Sequence, residues 1–178
     1  MNFSDISVSH LAKSAVASSA LVAVGVAFEL AARYDPELRE ELSRWRNGEV
    51  FSMGILPKGP YISIRCANGE AQYLGLGMRD PDVAILFKNL DAAMLVFTGQ
   101  IGTHTAAAEK RFIIRGNISE SMKIARALSI VQAYVFPRFI VMKTYKKPPA
   151  VSAQRLWIKA KIYAGLTPAL LTKIARRA

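Results

Sequence analysis

Few residues in this chain are of the types and spacings that do chemistry. There are two histidines, His10 and His104, far apart in sequence, and one cysteine, Cys66. A catalytic nucleophile needs a base within hydrogen-bond reach and a group to orient that base, and no nucleophile elbow or phosphate-cradling glycine loop is present. A zinc site needs three or four His, Cys or carboxylate ligands, more than these scattered residues easily provide. Gly75-Leu76-Gly77 lacks the third glycine of a dinucleotide-binding turn and opens no helix, so it reads as a strand end. Asp80-Pro81-Asp82 could hold a cation, but a turn leading into a strand is the better reading. His104, within Gly102-Thr103-His104-Thr105, reads as a loop residue. Cys66 has no second cysteine to pair with, which fits a reducing, cytoplasmic setting. These residues point away from an enzyme and call for no metal or cofactor.

Charge is more informative. The chain carries 24 Lys and Arg against 13 Asp and Glu, a net of +11. The last acidic residue is Glu120. Up to Pro137 the two signs nearly cancel, whereas from Arg138 onward there are ten basic residues and no acidic one. Such a field attracts polyanions, either nucleic acid or an anionic membrane face.

The elements that position these residues follow from the pattern. At 178 residues, 52% of them apolar, the chain can bury a core of its own. Ala15 to Ala32 is an apolar run with one charge, Glu29. Its length is at the lower edge for a membrane span, and a signal sequence or a helix packed on the domain or on a second copy are the alternatives. Its Ala and Ser content and Glu29 favour the packed helix. Asp35-Pro36-Glu37 starts a second helix, with Leu38, Leu42 and Trp45 on one face and Gly48 as its stop. Val50–Leu56, Pro60–Ala67, Glu70–Leu76 and Asp82–Phe87 predict an antiparallel meander of four strands, with Asn68-Gly69 as a hairpin turn. A helix follows over Asn89–Gly99, then a fifth strand over Lys110–Arg115. The Asn117 cap opens a helix to about Phe136, ended by Pro137. On that helix Met122, Ala125, Leu128, Val131 and Val135 face one way, and Lys123, Arg126 and Gln132 the other. Beyond the Lys146-Lys147-Pro148-Pro149 linker, two short helices are expected, Val151–Ala164 and one capped by Thr167-Pro168. The fold class is α+β, a five-stranded, mostly antiparallel sheet flanked by helices. Three parts are expected: N-terminal helices over 1–48, a core over 49–137 and a basic helical arm over 138–178.

From Val50 to Phe136 the chain resembles the sterol-carrier-protein (type 2) lipid-binding domain family. The resemblance is carried by DVAILF (82–87), LDAAMLVFTG (90–99), FIIRGN (112–117) and the following Met122-Lys123-Ile124. In that family a glycine usually precedes the last strand, where this chain has Lys110. The resemblance implies an apolar tunnel between sheet and helices that holds fatty acyl chains, sterols or isoprenoid lipids. It places Phe87, Leu90, Met94, Phe97, Phe112, Ile114, Met122, Ala125, Leu128 and Val131 on the wall. Each buried methylene contributes about 0.8 kcal/mol, so such a ligand needs few polar contacts.

The basic arm then has a partner to match. On the Val151–Ala164 helix Ala153, Leu156, Trp157, Ala160 and Tyr163 share one face, with Arg155 and Lys159 toward the other and Lys161 between. Trp and Tyr favour the headgroup level of a bilayer. Lys146, Lys147, Arg155, Lys159, Lys161, Arg176 and Arg177 suit anionic lipid, at about 1 kcal/mol each. A helical tail packed on the domain is the plainer alternative. Nucleic acid is a third, but no aromatic-glycine RNA-binding signature or zinc finger supports it.

Overall fold

The computed structural model describes residues 3–136, 138–144 and 153–175, and their side chains except those of 3–10, 139, 143, 144 and 166–175. The expected Pro137 stop and the 146–149 linker lie outside the described residues.

The apolar run is the middle of a 32-residue helix, α1 (Phe3–Tyr34), about 48 Å long at 1.5 Å per residue. Its stretch Leu11–Tyr34 is long and apolar enough to cross a membrane by length and composition. In the structure it packs within the chain, burying Ala17, Leu21, Val24, Ala27, Phe28 and Ala31 in the core. Glu29, its one acid in that run, accepts from the backbone N–H of Tyr73 at 3.0 Å, and Arg33 lies one turn on at 3.4 Å. Gly25 lets the Tyr73 ring approach closely: a Cβ there would lie 2.5 Å from it. So α1 covers the edge of the sheet where Tyr73 sits.

The short α2 (Pro36–Ser43) begins as the residues dictate, with Pro in its first turn and Asp35 accepting from the N–H groups of Glu37 and Leu38 at 2.8 and 3.4 Å. Five strands follow in the chain: β1 (Glu49–Ile55), β2 (Tyr61–Ala67), β3 (Glu70–Leu76), β4 (Val83–Phe87) and β5 (Phe112–Gly116). The β2–β3 hairpin turns at Asn68 and Gly69, both at positive φ. The meander stops at β3. The sheet order is β3-β2-β1-β4-β5, and β4 lies parallel to β1, where the sequence pattern suggested a fourth antiparallel strand beside β3. The reason is burial: every residue of β4 is buried, which suits an interior strand covered on both faces rather than an edge. Residues after β3 cross to reach it. Their path is pinned on the outer face by Ser63, whose Oγ donates to Gly77 O at 2.8 Å and accepts from Arg79 N–H at 3.0 Å. Asp82 then accepts from Val50 N–H at 2.9 Å and pairs with Arg46. Those bonds hold its carboxyl below the ordinary carboxylate range, the Val50 amide foremost. Its role is structural, in keeping with the turn reading.

Between β4 and β5 stand α3 (Leu90–Phe97), capped by Asn89 Oδ1, and α4 (Thr103–Ala108). The sequence pattern placed this second segment in a loop. Lys110, standing where the family usually has glycine, adopts a left-handed φ of 53°, a conformation that favours glycine. The long α5 (Ile118–Val135) is capped by Asn117, which accepts from Ser119 N–H at 2.8 Å. After α6 (Arg138–Thr144), α7 runs without a break from Ala153 to Ala175. Thr167-Pro168 is therefore inside one helix and does not start a second. Packing favours the continuation, because α7 lies along α1 and α5: Ile158 and Ile162 are fully buried, and Gly165 sits against Leu30, where a Cβ would be 2.5 Å from Leu30 Cδ1.

Candidate functional site

The inner face of the sheet is built in cross-strand rows. Met53, Ile85 and Ile114 stand side by side on β1, β4 and β5, and Ile55, Phe87 and Phe112 form the next row. Alternation along the strands puts both rows on the same side. Phe87 makes edge-to-face contacts with Phe97 of α3 at 5.4 Å and with Phe112 at 5.9 Å between ring centroids. These rows leave a gap beneath α5.

The gap is a cavity of about 270 Å³, near the lower end of ordinary ligand pockets, about 300–1,000 Å³. Its floor is Met53, Ile85, Phe87, Phe112 and Ile114, with Val24 of α1 behind. Val96 and Phe97 of α3 and Thr103, His104 and Ala107 of α4 close one side. The wall opposite the sheet is α5, which contributes Ser121, Met122, Ala125, Leu128, Ser129 and Gln132, followed by Phe136. From Ser121 to Phe136 that stripe runs fifteen steps, roughly 22 Å at 1.5 Å each, so the wall is long. None of the described residues lining it is Asp, Glu, Lys or Arg. Four of them reach solvent: Ile114, 40% exposed, and Met122, 57% exposed, at one end, and His104 and Ala107 on the α4 side. Ile118, one turn before Met122 on α5, is 75% exposed, so the opening at Ile114 and Met122 has an apolar lip.

Of the ten residues expected on a tunnel wall, the structure brings seven to the cavity: Phe87, Phe97, Phe112, Ile114, Met122, Ala125 and Leu128. Leu90 and Met94 pack, partly buried, against the main core, and Val131 is fully buried within it. Sequence reasoning missed Val24, Met53 and Ile85. Their signal was present: Met53 and Ile85 fall at the alternating inward positions of apolar strands. It also missed Thr103, His104, Ser129 and Gln132. Gln132 was expected on the solvent face of α5, yet it accepts from the Thr103 hydroxyl at 3.1 Å at the cavity's other end. The apolar arc of α5 is wider than one stripe. Ile124, Ala127, Val131 and Tyr134 enter the core while Met122, Ala125 and Gln132 face the cavity.

Among the described residues no three His, Cys, Asp or Glu side chains converge as a metal site would require. The Cys66 thiol is buried and pushed up to about 12 by burial and by the charge of Glu49, a setting in which thiolate is scarce.

The residues expected to meet a membrane divide in the same way. Lys146, Lys147, Arg176 and Arg177 lie outside the described residues. On α7, Arg155 pairs with Glu37 at 2.5 Å, Lys159 donates to Phe136 O at 2.8 Å, and the Tyr163 hydroxyl donates to Val135 O at 2.9 Å. Burial holds the Lys159 ammonium below its ordinary range. Lys161 lies over the Trp157 ring at 4.0 Å and the Tyr34 ring at 4.7 Å, a cation–π clasp between α7 and α1. Leu156, Trp157 and Tyr163 nonetheless keep exposed surface, 53% for Trp157.

No family model matches this chain, and no curated protein does. Solved structures do. A UbiJ-SCP2 ubiquinone synthesis protein is 13% identical with a TM-score of 0.42, over 57% of this chain and 89% of that one. A conserved hypothetical protein of Thermus thermophilus, a candidate sterol carrier protein, is 17% identical with a TM-score of 0.47, over 61% and 81%. The second sterol carrier protein domain of Helicoverpa armigera is 21% identical with a TM-score of 0.39, over 58% and 81%. Sterol carrier domains are what the chain is similar to in fold.

Proposed function

We propose that this protein binds a lipid in the cavity beneath α5 and carries or presents it, without itself catalysing a reaction. One observation carries the reading: a cavity of about 270 Å³ walled along α5 from Ser121 to Phe136, whose described lining holds no Asp, Glu, Lys or Arg and is mostly apolar. A mostly apolar slot of this kind gains affinity from each methylene it covers, about 0.8 kcal/mol apiece. The test is to extract the purified protein and identify co-purifying lipids by mass spectrometry, then titrate it with a fluorescent fatty acid. Saturable uptake with native lipid in the extract is expected. A protein that carries no lipid and takes up no probe overturns the reading.

The carrier's approach to a membrane belongs to the same proposal. The net +10 from Arg138 onward and the exposed Leu156, Trp157 and Tyr163 on α7 support docking on an anionic surface, apolar residues at the interface and cations beside the headgroups. The expected outcome is sedimentation with phosphatidylserine vesicles that weakens as salt rises and is absent with neutral vesicles. Equal binding to both would remove the electrostatic part, and a shift with nucleic acid alone would favour the other polyanion.

A further inference from the structure

Large apolar side chains crowd onto one exposed corner of the molecule. Every residue from Ile113 to Ser119 is exposed, and Ile113, Ile114, Ile118 and Met122 are among the large apolar residues that reach solvent. Single apolar residues on a surface are ordinary, whereas a cluster marks a contact. This cluster is contiguous with the cavity. Ile114 and Met122 line the space and face solvent at once, and Ile118 lies one turn before Met122 on the same side of α5. β5 is the edge strand of the sheet, so Ile113, on its other face, widens the patch.

The polar groups at this corner are already engaged, with one exception. Ser121, at this end of the α5 wall, is buried and donates to Ile118 O at 2.6 Å. Glu120 pairs with Lys123 at 2.7 Å. Asp82, next to the Val83–Gly116 pair of β4 and β5, is held by Arg46. Arg115 is exposed beside Ile114, and no carboxylate pairs with it among the described residues. The lip is thus apolar with a spare cation at its rim, on a chain of net +11. An anionic bilayer matches both features, with hydrocarbon for the Ile and Met side chains and headgroup phosphates for the guanidinium. The α4 side of the cavity lacks this character: His104, Thr105, Ala107 and Glu109 are exposed there, and none is a large apolar residue. The lip is also distinct from the exposed face of α7. Lys159 and Tyr163 bond carbonyls at the opposite end of α5, roughly 25 Å from Ile118 at 1.5 Å per residue.

Resting on the lipid reading above, we infer that the lip of Ile114, Ile118 and Met122 is where the protein enters an anionic bilayer and loads its lipid. The lip sits in the interface with Arg115 against the headgroups, and the apolar body of the lipid passes between β5 and α5 into the cavity without crossing water. The docking proposed for α7 is a separate contact.

The experiment uses the full chain with Ile118→Cys carrying an environment-sensitive nitrobenzoxadiazole label. The native Cys66 is buried and is left unlabelled. With phosphatidylserine vesicles the emission at 118 is expected to shift to the blue and rise at least about twofold, whereas the same label at Glu40→Cys on α2 stays as in water. Ile118→Glu then tests loading. Its carboxylate falls in the first turn of α5, where the helix dipole favours it, and the residue does not line the cavity. Affinity for a fluorescent fatty acid without vesicles should stay within about twofold of wild type, while transfer of that probe from phosphatidylserine vesicles to the protein slows roughly tenfold, the worth of one large apolar side chain kept out of the bilayer. The label alone decides if the variant fails to fold. A label at 118 that vesicles leave unchanged, in a protein that binds the probe, overturns this inference and leaves the lipid reading standing. So does a folded Ile118→Glu protein that loads from vesicles at the wild-type rate. A blue shift that follows protein concentration and needs no vesicles seats a second copy on the lip and overturns it too. A protein that binds no probe overturns both.

Discussion

Val131 and Gln132 are neighbours in the chain and serve different spaces. The first is fully buried in the main core, while the second lines the cavity. Hydrophobicity ranks them the wrong way for a lipid site, because a core needs apolar volume whereas a cavity end accepts polar side chains. Ala125 tests the cavity directly. Its small side chain faces the slot, so Ala125→Phe should fill it and lower fluorescent fatty-acid affinity at least about tenfold, the loss of several covered methylenes at ~0.8 kcal/mol each. The melting temperature should move by only a few degrees. Unchanged uptake would place the ligand elsewhere. Glu49 is a different kind of residue. It is buried beside Cys66 in the β1–β2 pairing, and among the described residues its Oε1, like the Trp45 Nε1, meets no hydrogen-bond partner. Burial first, and then the charge of Glu120, holds its carboxyl above the ordinary carboxylate range. A raised folded-state value means its contribution to stability is present below the unfolded-state value and is lost as pH rises through the folded-state one. Glu49→Gln keeps an acceptor for the Arg46 amide. It should therefore stabilise the protein at pH 7 and leave it nearly unchanged at pH 4, read by urea unfolding at both. An equal effect at the two pH values would reject the argument.

Elements were legible in the sequence wherever one local signal sufficed. The Asp35-Pro36 start of α2, the Asn68-Gly69 turn, the Asn117 cap and the positive-φ Gly99 each specify backbone within a few residues. What could not be read was partnership. DVAILF is plainly a strand, but nothing local says that it lies parallel to β1 and not beside β3. An unbroken apolar run marks burial on both faces, and that mark, given more weight, would have moved β4 inward. Partnership between helices rests on contacts as distant as Tyr134 and Asp35. The Tyr134 hydroxyl of α5 donates to the Asp35 carboxylate at 2.5 Å, where the same side chain caps α2. Burial, together with that bond, pushes the Tyr134 phenol above its ordinary range. Tyr134→Phe leaves the buried carboxylate with one donor fewer and should cost about 1.5–3 kcal/mol, the range for hydrogen bonds to charged groups. Urea denaturation checks it, and a loss under about 0.5 kcal/mol would show that water replaces the bond.

Among the described residues one hydrophobic cluster draws on α1, α2, the sheet, α5 and α7 together. Ile158 and Ile162 lie in it, on a helix that the charge pattern would assign to an appended arm. Their burial alone contributes roughly 3–6 kcal/mol at 1.5–3 per side chain, a large share of the 5–15 kcal/mol that holds an ordinary domain. A chain ending at Phe136 should thus aggregate or melt without a cooperative transition, and calorimetry on the truncated protein will show it. A sharp transition near the full chain's temperature would mean that α7 is dispensable to the fold.

The sequence by itself determined the fold class, the identity and rough limits of most elements and the concentration of positive charge after Arg138. Each of these depends on composition or on neighbours a few residues apart. Only the tertiary structure decided that β4 stands between β1 and β5, that α7 runs unbroken along α1, and that a slot remains beneath α5 with Thr103 and Gln132 at one end. Those are outcomes of how faces meet. Residues far apart in the chain share a wall only after packing has chosen which side of each helix turns inward, and a space left unfilled has no residue of its own to announce it.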